Sequence, residues 1–177
     1  PHVPWHAPQK WFDLYPLEDI ELPPWLASDM DDIPQAGIDL TAVPQMPPID
    51  WAIENNEWRP ILQAYLASIS FVDHCIGIAV EALLASPYAE NTYIILFSDH
   101  GYHLGEKSRF AKMSLWERST RVPLIITGPN VQVGQTTAPV GLIDLYPTIL
   151  DLAGLPENPD NSGRTLMSFL TGRGEKR

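Results

Sequence analysis

The residues whose types and spacing could do chemistry lie at the end of an apolar run. Thr92 to Phe97 is a continuous stretch of aliphatic and aromatic residues, and it stops at Ser98-Asp99-His100-Gly101. Such a run is typical of a strand buried on both faces of a parallel sheet. Ligands bind at the carboxyl ends of such strands. A carboxylate and an imidazole in that place could hold a cation, since Asp99 offers one or two oxygen ligands.

An isolated Asp-His-Gly sequence also fits a plain turn. Asp99 could begin the turn, Gly101 could supply a positive φ, and His100 could be a surface histidine. The continuation of the sequence favours a functional interpretation. It consists of Leu104-Gly105-Glu106, Lys112, Leu115-Trp116-Glu117 and the run from Thr120 to Ile126.

This extended run resembles the sulfatase family of the alkaline phosphatase superfamily, and it is most similar to the iduronate-2-sulfatase-like branch. In that family an Asp-His or Asp-Asn pair helps to bind a divalent cation, usually calcium, and a later lysine holds the sulfate ester. Asp99, His100 and Lys112 match these three positions. The opening Pro1-His2-Val3-Pro4 resembles the family segment in which a histidine contacts the sulfate, and that histidine corresponds to His2.

The resemblance implies a role for each candidate site residue. Asp99 and His100 would bind the metal, and His100 would also contact the substrate. His2 and Lys112 would be catalytic and would bind the substrate, while His103 is a candidate substrate contact only. Calcium is the implied cofactor, and zinc or manganese are the alternatives because imidazole suits zinc better than calcium.

The activity implied by the resemblance is hydrolysis of sulfate esters, with sulfated saccharides among the substrates, by a metal-assisted mechanism with a formylglycine nucleophile. The Cys-x-Pro-Ser-Arg sequence from which the family makes that nucleophile does not occur here. We therefore expect this partial catalytic domain, residues 1–177, to lack its N-terminal part and to be inactive in isolation. Two alternatives stay open: a metal-dependent phosphodiesterase or phosphonate hydrolase of the same superfamily, and a non-catalytic structural fragment. The family suggests a periplasmic, secreted or lysosomal protein, but the sequence itself leaves the localisation unknown.

The composition limits the classes of partner. A net charge of −11 argues against nucleic acid and anionic membranes, so local cations such as Lys112 and His2 would have to attract an anionic ester. Cys75 lies within an apolar helical pattern, which predicts a buried and inert thiol. We expect no membrane span, because no apolar run approaches the roughly 20 residues that one requires.

The elements that must position these residues fall into two parts. Residues 1–50 form a long, proline-rich and irregular segment that we expect to line the site. Residues 51–177 form the α/β core portion, part of a mostly parallel sheet flanked by helices, which the resemblance makes alkaline phosphatase-like. An amphipathic helix is predicted from about residue 50 to residue 86, strands at 92–97 and 122–127, and a helix from Asp144 to a glycine C-cap at Gly154.

The remaining charged residues near the site have less defined roles. Glu106 is expected to order the loop, as in the family. Glu117 and Arg121 are predicted to be structural, and Arg109 is compatible with either a structural or a functional role.

Overall fold

The computed structural model describes residues 2–41 and 46–172, except for the side chains of residues 40 and 41. The chain divides into two compact units. The first comprises Pro1–Ala85 and His100–Val122, and the second comprises Ser86–Asp99 and Pro123–Arg177. The segment after Asp99, which carries three of the five predicted site residues, therefore folds with the first unit.

Four α-helices precede the first strand in the described ranges. They are α1 (Gln9–Phe12), α2 (Gln35–Thr41), α3 (Ile49–Glu54) and α4 (Trp58–Leu84), and a 3-10 turn spans Leu17–Asp19. The helix predicted from about residue 50 to residue 86 is present in two pieces, because Asn56 adopts a positive φ of 57° between them. Pro60 lies in the first turn of α4, where its missing N–H leaves no hydrogen bond unmade.

The hydrophobic core of the first unit forms where α3 and the start of α4 meet the irregular N-terminal segment. Its buried members are Ile20, Ile49, Ala52, Trp58, Leu62 and Phe110. Phe110 comes from the segment after His100, and it is 1% exposed. Burying a side chain of this size contributes about 1.5–3 kcal/mol, so the core fixes that segment against α4.

Side chains of α4 bind the backbone of the proline-rich segment. Gln63 Nε2 donates to the Tyr15 carbonyl at 2.8 Å, and Arg59 Nε donates to the Ile20 carbonyl at 3.2 Å. The Tyr15 hydroxyl also forms a 2.6 Å hydrogen bond with Ser70 Oγ. Irregular backbone has no ladder to satisfy its carbonyls, so these side-chain contacts supply the missing partners.

Much of α4 is exposed in this chain, including Ile69, Ile78 and Leu84. Cys75 is exposed as well, so the prediction of a buried thiol is wrong. Apolar periodicity identifies the side chains that can be buried, but it does not identify what covers them. By length and composition alone, the 27-residue α4 could also cross a membrane, so the absence of a membrane span stays an expectation. Core helices of soluble proteins meet the same criterion.

The second unit contains a two-stranded antiparallel sheet. Its strands are β1 (Ile94–Phe97) and β4 (Leu124–Thr127), with Ile95 opposite Ile126. The predicted parallel arrangement is therefore wrong for this pair. Parallel strands need a crossover connection, usually a helix, and the longest helix between β1 and β4 is the four-residue α5 (Glu117–Thr120). Phe97 is 47% exposed, so β1 is not buried on both faces by the described part of the chain.

The described part of the second unit also contains the helices α6 (Leu145–Leu152) and α7 (Met167–Leu170). Gly154 has a φ of 67° just after α6, as the predicted glycine C-cap requires. Asp144 precedes α6, but its carboxylate accepts hydrogen bonds from the backbone N–H groups of Gly141 (2.9 Å) and Arg164 (2.8 Å). Asp144 therefore joins two loops instead of capping α6.

Gly105 occupies a turn that only glycine fits, between β2 (His103–Leu104) and β3 (Phe110–Ala111). Its φ is 126°, and a Cβ at this position would overlap the indole of Trp58. Gly105→Ala is therefore expected to lower the free energy of unfolding by about 2–4 kcal/mol, through backbone strain and overpacking. Urea denaturation of the intact protein measures this loss.

Gly77→Ala is the matched control for this prediction. Gly77 lies inside α4, and no heavy atom of the described residues lies within 4 Å of a Cβ built there. The better helix propensity of alanine predicts a gain of roughly 0.5–1 kcal/mol. Equal effects of the two substitutions would contradict the steric account of Gly105.

Candidate active site

The segment from His100 to Arg121 folds as a small hairpin followed by α5. β2 and β3 pair antiparallel, with His103 opposite Ala111. Gly101 N–H donates to the Ser119 carbonyl at 2.8 Å, and a Cβ on Gly101 would overlap the Arg118 carbonyl. Gly101 is therefore required by a close backbone contact, and not by the positive φ that a plain turn would need.

Asp99 and His100 lie two and three residues after the end of β1 at Phe97. Asp99 is exposed and His100 is half-buried. His100 Nδ1–H donates to the Gly101 carbonyl at 2.9 Å, which leaves the lone pair of the neutral ring on Nε2. Metal-binding histidines commonly have this arrangement, so the donor chemistry of the pair fits a divalent cation. The pair does not form a complete site, since the described residues contain no group of three or more His, Cys, Asp or Glu side chains that could hold a metal.

The predicted site residues divide between the two units. Asp99 is the last residue of the segment Ser86–Asp99 in the second unit, whereas His2, His100, His103 and Lys112 belong to the first. Within the first unit, the three histidines differ in their exposure and in their hydrogen-bond partners.

His2 is exposed, and its Nδ1–H donates to the carbonyl of the next residue at 2.7 Å. Three residues later, Trp5 packs edge-to-face against Tyr65 of α4 and against Tyr102, with ring centroids 5.5 and 5.3 Å apart. Burial, reinforced by Tyr65, raises the pKa of Tyr102 to about 12 and keeps its hydroxyl protonated. This aromatic trio ties the segment that carries His2 to the segment that carries His100.

Among the predicted site residues, His103 has the surroundings that differ most from its predicted role as a substrate contact. The side chain is 0% exposed, Nδ1–H donates to the Glu106 carbonyl at 3.1 Å, and Nε2 lies 3.0 Å from Ser114 Oγ. Both ring nitrogens are engaged inside the loop, which favours a loop-ordering role over the substrate contact that the sequence suggested. The Glu106 carboxylate accepts a hydrogen bond from Leu104 N–H at 2.8 Å, in agreement with its predicted ordering role.

The buried imidazole of His103 predicts a pH dependence of stability. Burial lowers the pKa of His103, and the nearby Arg109 adds to this shift against the opposing Glu106 carbonyl. The unfolded chain then binds more protons than the folded one between the lowered pKa and about 6.5, so the free energy of unfolding falls as the pH drops through this window. His103→Gln is expected to remove this acid-induced loss. Urea denaturation of the wild type and of His103→Gln from about pH 7.5 to about pH 5 tests this prediction. Equal losses of the free energy of unfolding in both proteins would contradict it.

The segment 100–121 reverses the charge of the chain. It contains five of the eleven basic residues but only two of the 22 acidic ones. Three of the cations form ion pairs of 2.9–3.1 Å, and these are Lys107 with Asp29, Arg118 with Glu106 and Arg121 with Glu117. The side chains of Lys112 and Arg109 form no hydrogen bond or ion pair with any residue that the structure describes.

The two unpaired cations differ in how well the sequence indicated them. The motif predicts Lys112 as a site residue, whereas the sequence is compatible with either a structural or a functional role for Arg109. The local excess of basic residues is readable from the sequence, and it is the signal that could have directed attention to Arg109. Of the ion pairs that neutralise the other three cations, Arg121–Glu117 is local, at positions i and i+4. The Lys107–Asp29 pair joins residues 78 positions apart and depends on the tertiary structure.

Comparison with known sequences gives consistent matches. The family model described as Sulfatase matches residues 1–155. A sulfatase from Formosa agariphila is 50% identical over 171 residues, which cover 96% of this chain and 34% of that protein. Mouse iduronate 2-sulfatase is 32% identical, with 90% of this chain and 35% of that protein covered. The chain spans about a third of the length of the curated relatives that it matches.

Solved structures give a related result. The fold is similar to a phosphonate monoester hydrolase from Silicibacter pomeroyi, with a TM-score of 0.82 and 28% identity over 99% of this chain and 36% of that protein. It is also similar to a protein solved in complex with its substrate D-glucosamine-2-N,6-O-disulfate, with a TM-score of 0.60 and 31% identity over 71% of this chain and 26% of that protein. Both likenesses agree with a mixed α/β fold.

Proposed function

Because this chain belongs to the sulfatase family, we propose that it is part of an enzyme that hydrolyses sulfate esters of saccharides. The observation that carries the proposal is the Lys112 ammonium, which lies in the basic segment of an acidic chain and has no anionic partner among residues 2–41 and 46–172. Such a group is suited to a charge-assisted hydrogen bond with a sulfate oxygen. The disulfated glucosamine that is the substrate of one structural relative supports the saccharide class.

Asp99 and His100 are proposed to be two of the ligands of a divalent cation. Calcium is the first candidate, and zinc or manganese are the alternatives because imidazole is an unusual calcium ligand. The other ligands would come from outside the described residues. When bound, such a cation would offset negative charge on the oxygens of the ester.

Lys112 and His2 are proposed to act on the ester itself. Lys112 holds a non-bridging sulfate oxygen. Because Nδ1–H of His2 is used by a backbone carbonyl, Nε2 is the atom that can donate a proton to the leaving oxygen when the ring is protonated. Cys75 is not in the sequence context that the family converts to formylglycine, so the nucleophile is proposed to lie outside this chain.

The finer description of the fold is part of the same proposal. β1 and β4 would belong to the larger, mostly parallel sheet of an alkaline phosphatase-like domain. The exposed apolar side chains of Phe97 and Ile125 support this, because strands inside such a sheet are covered on both faces.

A second candidate function is hydrolysis of phosphonate monoesters. The likeness to the phosphonate monoester hydrolase, which extends over 99% of the chain, favours it. Lys112 and the Asp99-His100 pair would then act on phosphoryl oxygens, and the metal would be zinc or manganese.

A matched pair of substrates distinguishes the two functions. The experiment measures kcat/KM of the intact protein for the sulfate and the phosphonate monoester of one alcohol, together with the metal content of the same preparation. We expect a higher kcat/KM for the sulfate and bound calcium. Preference for the phosphonate with bound zinc or manganese would support the second candidate, and hydrolysis of neither ester would refute both.

A further inference from the structure

A polar cluster of His103, Ser114 and Ser119 lies inside the segment 100–121. The Ser114 hydroxyl forms hydrogen bonds of 3.0 Å with His103 Nε2 and of 2.9 Å with Ser119 Oγ. His103 is 0% exposed and Ser119 is 4% exposed. Because water has little access to these groups, the loss of one partner would leave the others unsatisfied.

The two serines of this cluster also bind the backbone beside two of the predicted site residues. Ser114 N–H donates to the Lys112 carbonyl at 2.8 Å. The Ser119 carbonyl accepts a hydrogen bond from Gly101 N–H at 2.8 Å, and the Gly101 carbonyl accepts one from His100 Nδ1–H at 2.9 Å. A continuous series of hydrogen-bonded residues therefore connects the backbone of Lys112 with the imidazole of His100.

The backbone directly before Lys112 has an unfavourable conformation. Ala111, the last residue of β3, has a φ of 85°, which is costly for a residue with a Cβ. Such a conformation persists only where the surrounding structure holds it, and it is common at functional sites. The hydrogen bond from Ser114 to the Lys112 carbonyl is a contact that holds the chain just after this residue.

We propose that Ser114 and Ser119 are positioning residues, which hold the backbone of Lys112 so that its ammonium reaches the sulfate group and keeps a fixed place relative to His100. This inference rests on the proposed function of Lys112. A lysine ammonium is carried on a flexible stem, so its position depends on a fixed backbone. A misplacement of about 1 Å can lower a rate by about 10²-fold.

A double-mutant cycle distinguishes positioning from plain stabilisation of the loop. The four proteins are the intact wild type, Ser114→Ala, Lys112→Met and the variant with both substitutions. Calorimetry at constant ionic strength gives the affinity of each for inorganic sulfate, and steady-state kinetics with one sulfate ester gives kcat/KM. If Ser114 acts through Lys112, the two substitutions are not additive, whereas independent effects add.

Ser114→Ala is expected to weaken sulfate binding by at least about fivefold when Lys112 is present, and by less than about twofold in the Lys112→Met background. Ser70→Ala is the matched control. Ser70 is also half-buried, and its hydroxyl forms a 2.6 Å hydrogen bond with Tyr15, so this variant loses a comparable contact on α4. Its sulfate affinity is expected to stay within about twofold of the wild type.

The cycle separates failure of this inference from failure of the proposed function. Equal losses of sulfate affinity from Ser114→Ala in both backgrounds, or no loss in either, would overturn the positioning role and leave the role of Lys112 intact. Lys112→Met that binds sulfate as tightly as the wild type would refute the proposed role of Lys112, and the positioning role with it. The affinity decides both points even if no sulfate ester is hydrolysed.

Ser119→Ala keeps the experiment decisive if Ser114→Ala does not fold. It removes the hydroxyl that bonds to Ser114 but leaves the contacts of Ser114 with His103 and with the Lys112 carbonyl. The same cycle with Ser119→Ala is expected to show a smaller loss of sulfate affinity, of at least about twofold, that again depends on Lys112. Additive effects of Ser119→Ala and Lys112→Met would overturn the proposal.

Discussion

Lys112→Met is expected to lower kcat/KM for sulfate-ester hydrolysis by about 10²–10³-fold. Removal of one fixed donor that stabilises developing charge has an effect of this size. Lys112 has no competing anionic partner among the residues that the structure covers, so its ammonium is available to a sulfate oxygen. Steady-state kinetics of the intact protein with one sulfate ester measures the change.

Arg121→Met is the matched control for Lys112→Met. It also removes one positive charge from the segment 100–121, but Arg121 is exposed and paired with Glu117, so kcat/KM is expected to change by less than about fivefold. Similar losses of kcat/KM in both variants would show that the positive charge of the whole segment causes the effect, and that a specific contact of Lys112 does not.

Asp99→Asn is expected to lower kcat/KM by about a thousandfold and to reduce the bound metal. The substitution keeps the shape of the side chain but removes its charge, and hard cations prefer charged carboxylate oxygens. A metal that polarises an ester oxygen contributes several kcal/mol to catalysis, and each 1.4 kcal/mol is about tenfold. Kinetics and elemental analysis of the same samples measure both effects.

Asp151→Asn is the control for Asp99→Asn. Asp151 lies on α6 in the same unit and is exposed, so the substitution changes the net charge equally without touching the proposed ligands. Full activity and full metal content in Asp99→Asn would remove Asp99 from the site.

Local structure was largely predictable from the sequence. The prolines and the apolar steps of three and four placed α4, and the apolar run placed β1 two residues from its observed start. Gly154 marked the end of α6 because a left-handed C-cap favours glycine. Each of these features depends on residues close together in the chain, and so the sequence pattern contains it.

The features that depend on distant parts of the chain were not predictable in the same way. A continuous apolar run favours a strand that is covered on both faces, but it does not identify the neighbouring strand or its direction, so the antiparallel pairing of β4 with β1 had to come from the structure. Helical periodicity placed Cys75 in an apolar pattern, but its side chain is exposed in the described structure. What covers a face is decided by tertiary packing.

The site residues also divide into those that local sequence identifies and those that depend on the folded structure. The motif indicates Lys112, whose charge has no ion-pair partner within the described ranges, and its role in the site stays a prediction. His103 lies inside the same motif, but its burial and its two hydrogen-bonding contacts are properties of the folded loop. Arg109 had no motif to mark it, and only the pairing of the other cations made its isolation visible.

The most direct test of the account is the affinity of the intact protein for inorganic sulfate, measured by calorimetry at constant ionic strength. A hydrogen bond between charged groups contributes about 1.5–3 kcal/mol, so Lys112→Met is predicted to weaken sulfate binding by about tenfold or more, while Arg121→Met leaves it unchanged. Equal affinity of the wild type and Lys112→Met for sulfate would contradict the assignment of Lys112 to the sulfate group.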